Sequence, residues 1–445
     1  MTTQTDKTTQ TGTDTRRSTR RSTPRSAIPF VARFDPVAPA HRRRFPLDPV
    51  RAIAALVVIV THVHSNQLLT IAHPTDSDLR LNHTLEVFAD ASVTVFFVLS
   101  AFVLYLPAVR AAMAGKNSTT WKDMLLRRVV RLLPLYFIVV LVVWSATNTR
   151  LPGTWQDLLL HLSMLHVYSD RYIFWTDGPA WSLAVEFHFY IAMAIVTPLA
   201  AAWAIRSESP RVRIARMSAF PAALGVAGIA YLLWAVRTYS HDRWSVWFGP
   251  LSMMSIFAIG MALAVAVAGG VELRSAWLRR GLAVGALGVF ILVAAVRDPL
   301  NTSDQLWRLA LGAASAALIS SIVMTTGQVP RWLTWRPLVA LGVFSYGMYL
   351  LHEPLMRFAR WLGILLPGNL GIAGFLGSVA VVLTLTIVAA RFSFNYVESN
   401  AMRILSTFEN GARFREYYSR TLDTAELPDS RKLDTTRAQT AATAG

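Results

Sequence analysis

Long apolar runs separated by short polar ones dominate the chain. A membrane-crossing helix needs about 20 mainly apolar residues. Ten stretches approach or meet that length: residues 50–69, 87–107, 129–147, 179–204, 217–236, 249–269, 281–296, 306–326, 338–358 and 371–392. Residues 155–168 are also apolar but too short to span, which predicts an interfacial or re-entrant segment, and they carry His161 and His166. Residues 1–45 are rich in Thr, Arg, Ser and Pro with almost no apolar run, which predicts a disordered basic tail. Residues 400–445 read as a second polar tail, helical over 401–418 and loose beyond. No short apolar core with a small-residue cleavage site precedes residue 50, so a cleavable signal peptide is not expected. The pattern predicts an all-α, polytopic membrane protein. A ten-helix domain over 46–399 lies between tails at 1–45 and 400–445.

Composition agrees. The chain has 445 residues, 53% of them hydrophobic and only 16% charged, whereas soluble domains are about 25% charged. The complete lack of cysteine removes disulfides, thiolate zinc sites, iron–sulfur clusters and cysteine nucleophiles. With 43 Lys+Arg against 26 Asp+Glu, the net charge is +17, which raises the question of a nucleic-acid partner. The distribution answers it. With the N-terminus in the cytoplasm and ten alternating crossings, the inner segments hold 32 Lys/Arg and the outer ones 9, while Arg51 and Arg131 lie just within helices. That asymmetry is the positive-inside signature. It predicts both termini in the cytoplasm of a multi-pass plasma-membrane protein whose partner is the bilayer rather than nucleic acid.

Ionisable residues inside a membrane are costly, so each is a functional candidate. In the first predicted helix, Arg51 and His62 are eleven residues apart, about 20° from three full turns, so they share a face about 16 Å apart along the axis. Arg51 falls at the cytoplasmic mouth and His62 past the midplane. His64 points elsewhere and reads as a boundary residue. Arg128 and Arg131 share a face of the third helix at the level of Arg51. Three guanidiniums at one depth suit a phosphate clamp, although membrane anchoring also explains Arg127 and Arg128. Glu186 lies in the fourth helix at a depth comparable to His62, where a carboxylate needs a partner or a proton. Glu86 and Asp90, near the outer end of the second helix, read as solvated. In the ninth helix Ser345, Tyr349 and His352 fall on one face, and Glu398 follows the tenth. No metal-ligand spacing, phosphate-binding glycine loop or internal repeat appears.

These segments resemble the acyltransferase-3 family of polytopic membrane O-acyltransferases. Arg51…His62 resembles its Arg-x10-His motif. Phe96-Phe97-Val98-Leu99-Ser100-Ala101-Phe102 resembles its Phe-Phe-x-Leu-Ser-Gly-Phe stretch, with Ala101 in place of Gly. Arg128…Arg131 with Pro134 and Tyr136 resembles its Arg-x-x-Arg motif, and Trp181-Ser182-Leu183 with Glu186 its Trp-Ser-Leu-x-x-Glu segment. Ser345-Tyr346…Tyr349…His352-x-Pro354 resembles its late signature. Tyr396-Val397-Glu398 resembles the closing aromatic-x-Glu, with Ser399 where Pro is usual. Some members carry a fused extracellular esterase-like domain; the polar tail after the last helix leads us to expect a stand-alone member here.

The resemblance implies an acyl-CoA donor, acetyl-CoA by default, with no metal, and a hydroxyl acceptor on a surface glycan, glycolipid or glycosylated metabolite. It places Arg51, Arg128 and Arg131 at the donor. His62 becomes the general base, Glu186 orients it, and Tyr349, Ser345 or Trp181 supply oxyanion donors. Ser100 stands as a less favoured nucleophile. His352 joins Tyr349 among the catalytic candidates. A proton-coupled exporter and a homologue without catalysis are the other classes. The absence of evident inverted repeats speaks against the first, and the intact Arg and His motifs against the second.

Overall fold

The computed structural model describes residues 46–117, 121–298, 301–325 and 330–408. The predicted N-terminal tail, and the C-terminal tail beyond residue 408, lie outside them. Among the described residues every regular element is helical. In order they are α1 (Asp48–Leu68), α2 (Asp76–Met113), α3 (Trp121–Thr147), α4 (Trp155–Leu162), α5 (Ala180–Ile205), α6 (Pro210–Thr238), α7 (Trp244–Trp247), α8 (Pro250–Ala268), α9 (Ala276–Val296), α10 (Trp307–Val323), α11 (Arg336–Val343), α12 (Ser345–Trp361) and α13 (Gly371–Ser393).

The chain starts and stops these helices by ordinary means. Pro49, Pro210 and Pro250 open α1, α6 and α8, where a missing N–H costs nothing. Thr75 and Asp78 form a reciprocal capping box at the start of α2. Those polar caps carry α2 well past the predicted 87–107. At 38 residues it is about 57 Å long, nearly twice the hydrocarbon thickness.

Burial separates the centre from the lipid-facing rim. In α2, 72% of the apolar window is buried inside the protein, against 17% in α9. α2 packs on α1, α5, α8 and α10. Its contact with α8 is close because Gly260 leaves room for the backbone of Val98; a Cβ there would collide with the Val98 carbonyl and lie 2.8 Å from the Ala101 Cβ. Ala101, where a glycine was expected, therefore sits in this contact. Across it Phe97, Phe257 and Phe189 follow in series, with centroids 4.9 and 3.6 Å apart. α6 and α9 turn most of their apolar side chains outward, as lipid-exposed helices do.

Among the described residues, nine helices are long and apolar enough to cross a membrane. The remaining predicted crossing, the ninth at 338–358, is not one helix. It breaks at Phe344 into α11 and α12, and Ser345 Oγ closes the break by donating to the Gly342 carbonyl (3.0 Å). At 17 residues α12 is too short to qualify, and it carries His352, Glu353, Pro354 and Arg357. It is nevertheless held inside the bundle against α1, α3 and α13, and Tyr346 donates to the Leu132 carbonyl of α3 (2.6 Å). The short apolar segment at 155–168 folds as α4 and a following 3-10 turn, His166–Tyr168. One face of α4 buries Asp157 and His161, while Trp155 and Leu159 stay exposed. After α13 a π-helical turn, Phe394–Glu398, rotates Glu398 into the interior, and the helix resumes to residue 408.

The α2–α8 contact is testable. Gly260→Leu should lower the Tm in detergent, since overpacking a tight contact costs about 1–3 kcal/mol. Gly285→Leu, on α9 where a Cβ meets nothing within 4 Å, should leave it unchanged. Equal losses would contradict the close packing.

Candidate active site

A solvent-connected cavity of about 650 Å³ opens between α1, α2, α3, α5 and α12. Arg51, Arg128 and Arg131 line one part of it, Ser100, Glu186, Tyr190 and Ser345 its side, and Ser182 and Tyr349 its far part. A wider groove of about 1080 Å³ adjoins it, sharing Arg128 and Arg131 and adding Arg127, Pro107, Pro198 and Met402. The sequence motifs from α1, α2, α3, α5 and α12 thus meet around one space. Three arginines form its cationic end, and an apolar-walled groove lies outside them.

Glu186 does not contact His62, contrary to the expectation that it orients the histidine. Its carboxylate accepts hydrogen bonds from Ser100 Oγ and from Tyr190 OH, one turn further along α5. Arg128 lies over the Tyr190 ring, 5.7 Å from its centroid. Glu186 therefore belongs to the arginine side of the cavity, and Ser100 is held as its hydrogen-bond donor. The i, i+4 spacing of Glu186 and Tyr190 was a signal in the sequence for this partner.

The histidines stand beyond the far wall. His62 Nδ1 lies 2.8 Å from His352 Nε2, with the rings stacked at 28° and 5.0 Å between centroids. His352 Nδ1 is 2.7 Å from the Tyr349 carbonyl. His352 is fully buried and His62 half-buried. Neither lines the cavity; the Tyr349 ring, which does, lies edge-on to Phe96 at 5.8 Å and 6.0 Å from the His352 ring.

Tyr349 is itself held. Ser182 Oγ is 2.8 Å from Tyr349 OH and 3.0 Å from the Pro179 carbonyl. Ser182 Oγ donates to both acceptors, its single proton shared between the Tyr349 hydroxyl and the carbonyl. Trp181, another proposed oxyanion donor, packs its ring against Phe97 and Phe248.

Other candidates fall outside the cavity. His64 pairs with Asn82 of α2 (3.1 Å), in keeping with a boundary role, and Asn82 also donates to Glu86. Asp90 is not simply solvated, because it forms an ion pair with Arg297. Behind the site a polar cluster ties α4 to its neighbours. Tyr136 OH donates to the His161 carbonyl (2.9 Å), and His161 stacks on His166 at 4.0 Å. Asp177, in the loop before α5, is fully buried. Desolvation, then the nearby Glu353, pushes its carboxyl well above the usual carboxylate range. Of these residues Tyr136, His161 and His166 were marked in the sequence, whereas nothing there singled out Asp177. Among the described residues no group of three or more His, Asp or Glu is arranged to hold a metal ion.

The family model described as "Acyltransferase domain" matches residues 46–391, most of the chain. A protein of Bacillus subtilis (strain 168), provisionally named a peptidoglycan O-acetyltransferase, YrhL, is 27% identical over 339 residues. That alignment covers 71% of this chain and 49% of the relative, so the chain spans about half the length of the curated protein it matches. No solved structure matches it. The membrane helices, the motifs gathered around one cavity and the family match agree: the chain is a multi-pass membrane protein of the acyltransferase-3 family.

Proposed function

We propose that this protein is a membrane O-acyltransferase that moves an acyl group, acetyl by default, from acyl-CoA to a hydroxyl of a carbohydrate-type acceptor. One observation carries the reading. Arg51 and His62 stand on one uninterrupted helix, about 16 Å apart, and the cavity between their levels is cationic at one end and closed by Tyr349 at the other. That span is about the length of an extended pantetheine arm. The nucleotide phosphates would lie on Arg127, Arg128 and Arg131 at the groove, with Arg51 deeper. The thioester would then reach the Tyr349 wall.

The charge asymmetry of the loops supports a cytoplasmic approach for the donor. The acceptor would come from the opposite face, to the half-buried side of His62. His62 takes the proton of the acceptor hydroxyl as its oxygen attacks the thioester carbon. The C–S bond of the resulting tetrahedral species breaks, CoA leaves as the thiolate, and the proton on His62 is returned to it. The oxyanion would take its hydrogen bond from the Tyr349 hydroxyl, which accepts from Ser182, or from Ser345 turned away from its carbonyl. Glu186 acts on the donor side, fixing Ser100 and Tyr190 beside Arg128. The name of the Bacillus relative favours a cell-envelope glycan as acceptor; a glycolipid or glycosylated metabolite presents the same hydroxyl.

Purified protein given acetyl-CoA should release free CoA faster when a glycan acceptor is added. His62→Ala should abolish transfer, with the Tm of the wild type; retained turnover would refute the base. Arg128→Ala or Arg131→Ala should raise the KM for acetyl-CoA roughly 10–100-fold, the value of a charge-assisted hydrogen bond. An unchanged donor KM would refute the clamp.

A further inference from the structure

Proton accounting around the histidine pair has a definite outcome. A neutral imidazole carries one N–H and one lone pair, so each ring can donate at one nitrogen and accept at the other. The Tyr349 carbonyl, 2.7 Å from His352 Nδ1, can only accept. The single proton of His352 therefore sits on Nδ1; the alternative would set two lone pairs against each other inside a fully buried site. His352 Nε2 is then an acceptor. At 2.8 Å from it, His62 Nδ1 must be the donor. The proton of His62 is thereby fixed on Nδ1, and its lone pair on Nε2. Free histidine prefers the opposite tautomer, so the protein holds His62 in its less common form.

We infer that His352 is a positioning residue that sets the tautomer of His62, making Nε2 the atom that receives the acceptor proton. The inference rests on the proposed role of His62 as base. His352 is buried completely while His62 keeps an exposed side, so His62 alone is within reach of a substrate. The near-parallel rings, 28° apart, limit rotation of His62 about its own axis. Once Nε2 is protonated, the imidazolium still donates through Nδ1 to His352 Nε2, and the charge extends toward the Tyr349 carbonyl. A carboxylate does this work in a Ser–His–Asp arrangement. Here a neutral ring anchored on a backbone carbonyl does it, which explains how His62 is oriented while Glu186 is engaged elsewhere. The same carbonyl belongs to the residue whose ring closes the cavity, so orientation of the base and placement of the wall are coupled through Tyr349.

The direct test is ring-nitrogen NMR of wild-type protein carrying 15N-histidine in lipid nanodiscs, with the His62 signals identified by their loss in His62→Gln. Near pH 8, His62 should show a protonated Nδ1 and a bare Nε2. A protonated Nε2 would overturn the inference. This readout needs no turnover, so it is independent of whether His62 is the base; activity retained by His62→Ala would instead refute the base.

Two variants add a kinetic test. His352→Leu removes the acceptor for His62 Nδ1 and should lower kcat by roughly 100-fold or more, with the donor KM little changed. His352→Gln, whose amide can accept from His62, should recover a substantial part of the rate. Full activity in His352→Leu would overturn the inference. If that variant does not fold, the wild-type spectrum decides.

Discussion

The length of one straight helix governs the site. α1 runs without a break from Asp48 to Leu68, and its hydrogen-bonded backbone holds Arg51 and His62 at a separation that no loop could keep constant. Everything else is arranged against that rod. α3 brings Arg128 and Arg131 to the level of Arg51, α5 and α2 form the wall with Glu186, Tyr190 and Ser100, and α12 delivers Tyr349 and His352 to the level of His62. The cost of charge in a bilayer enforces the grouping. The arginines share one water-connected space, and the histidines satisfy each other and a backbone carbonyl.

α12 shows how function distorts a membrane fold. A crossing helix should be apolar, yet this one carries His352, Glu353, Pro354 and Arg357. Neighbours shelter those groups. Arg357 bonds Glu353 and the Thr176 carbonyl, and His352 bonds His62. The helix is also parted from α11 at Phe344, which lets Ser345 and Tyr346 satisfy carbonyls of α11 and α3. The short α4 and its buried Asp157 and His161 fill the space beside α3, so polar residues that would be costly in lipid lie inside protein instead.

Much of this was legible in the sequence, because a bilayer imposes a minimum apolar length. Nine of the ten predicted crossings correspond to long apolar helices, and the segment at 155–168 was too short to span and does fold as a short helix. The break at Phe344 was not legible, since apolarity averaged over 338–358 passes over a single non-helical residue. The outer extension of α2 was missed because polar turns outside the hydrocarbon carry no length constraint. Within the site, depth along each helix was readable but rotation was not. Glu186 and His62 were placed at comparable depth and joined on that basis, whereas α5 turns Glu186 toward Ser100 and Tyr190. The pairing of His62 with His352, residues 290 positions apart, depends on how α1 meets α12, which no local pattern encodes.

Shortening the donor tests most directly whether it is measured out between the arginines and His62 as proposed. Turnover should be followed with acetyl-CoA and with S-acetyl-pantetheine, which lacks the nucleotide, in wild-type protein and in Arg128→Ala. If only the nucleotide reaches Arg128, the substitution raises the KM for acetyl-CoA and leaves that for acetyl-pantetheine unchanged. Equal losses with both donors would contradict it.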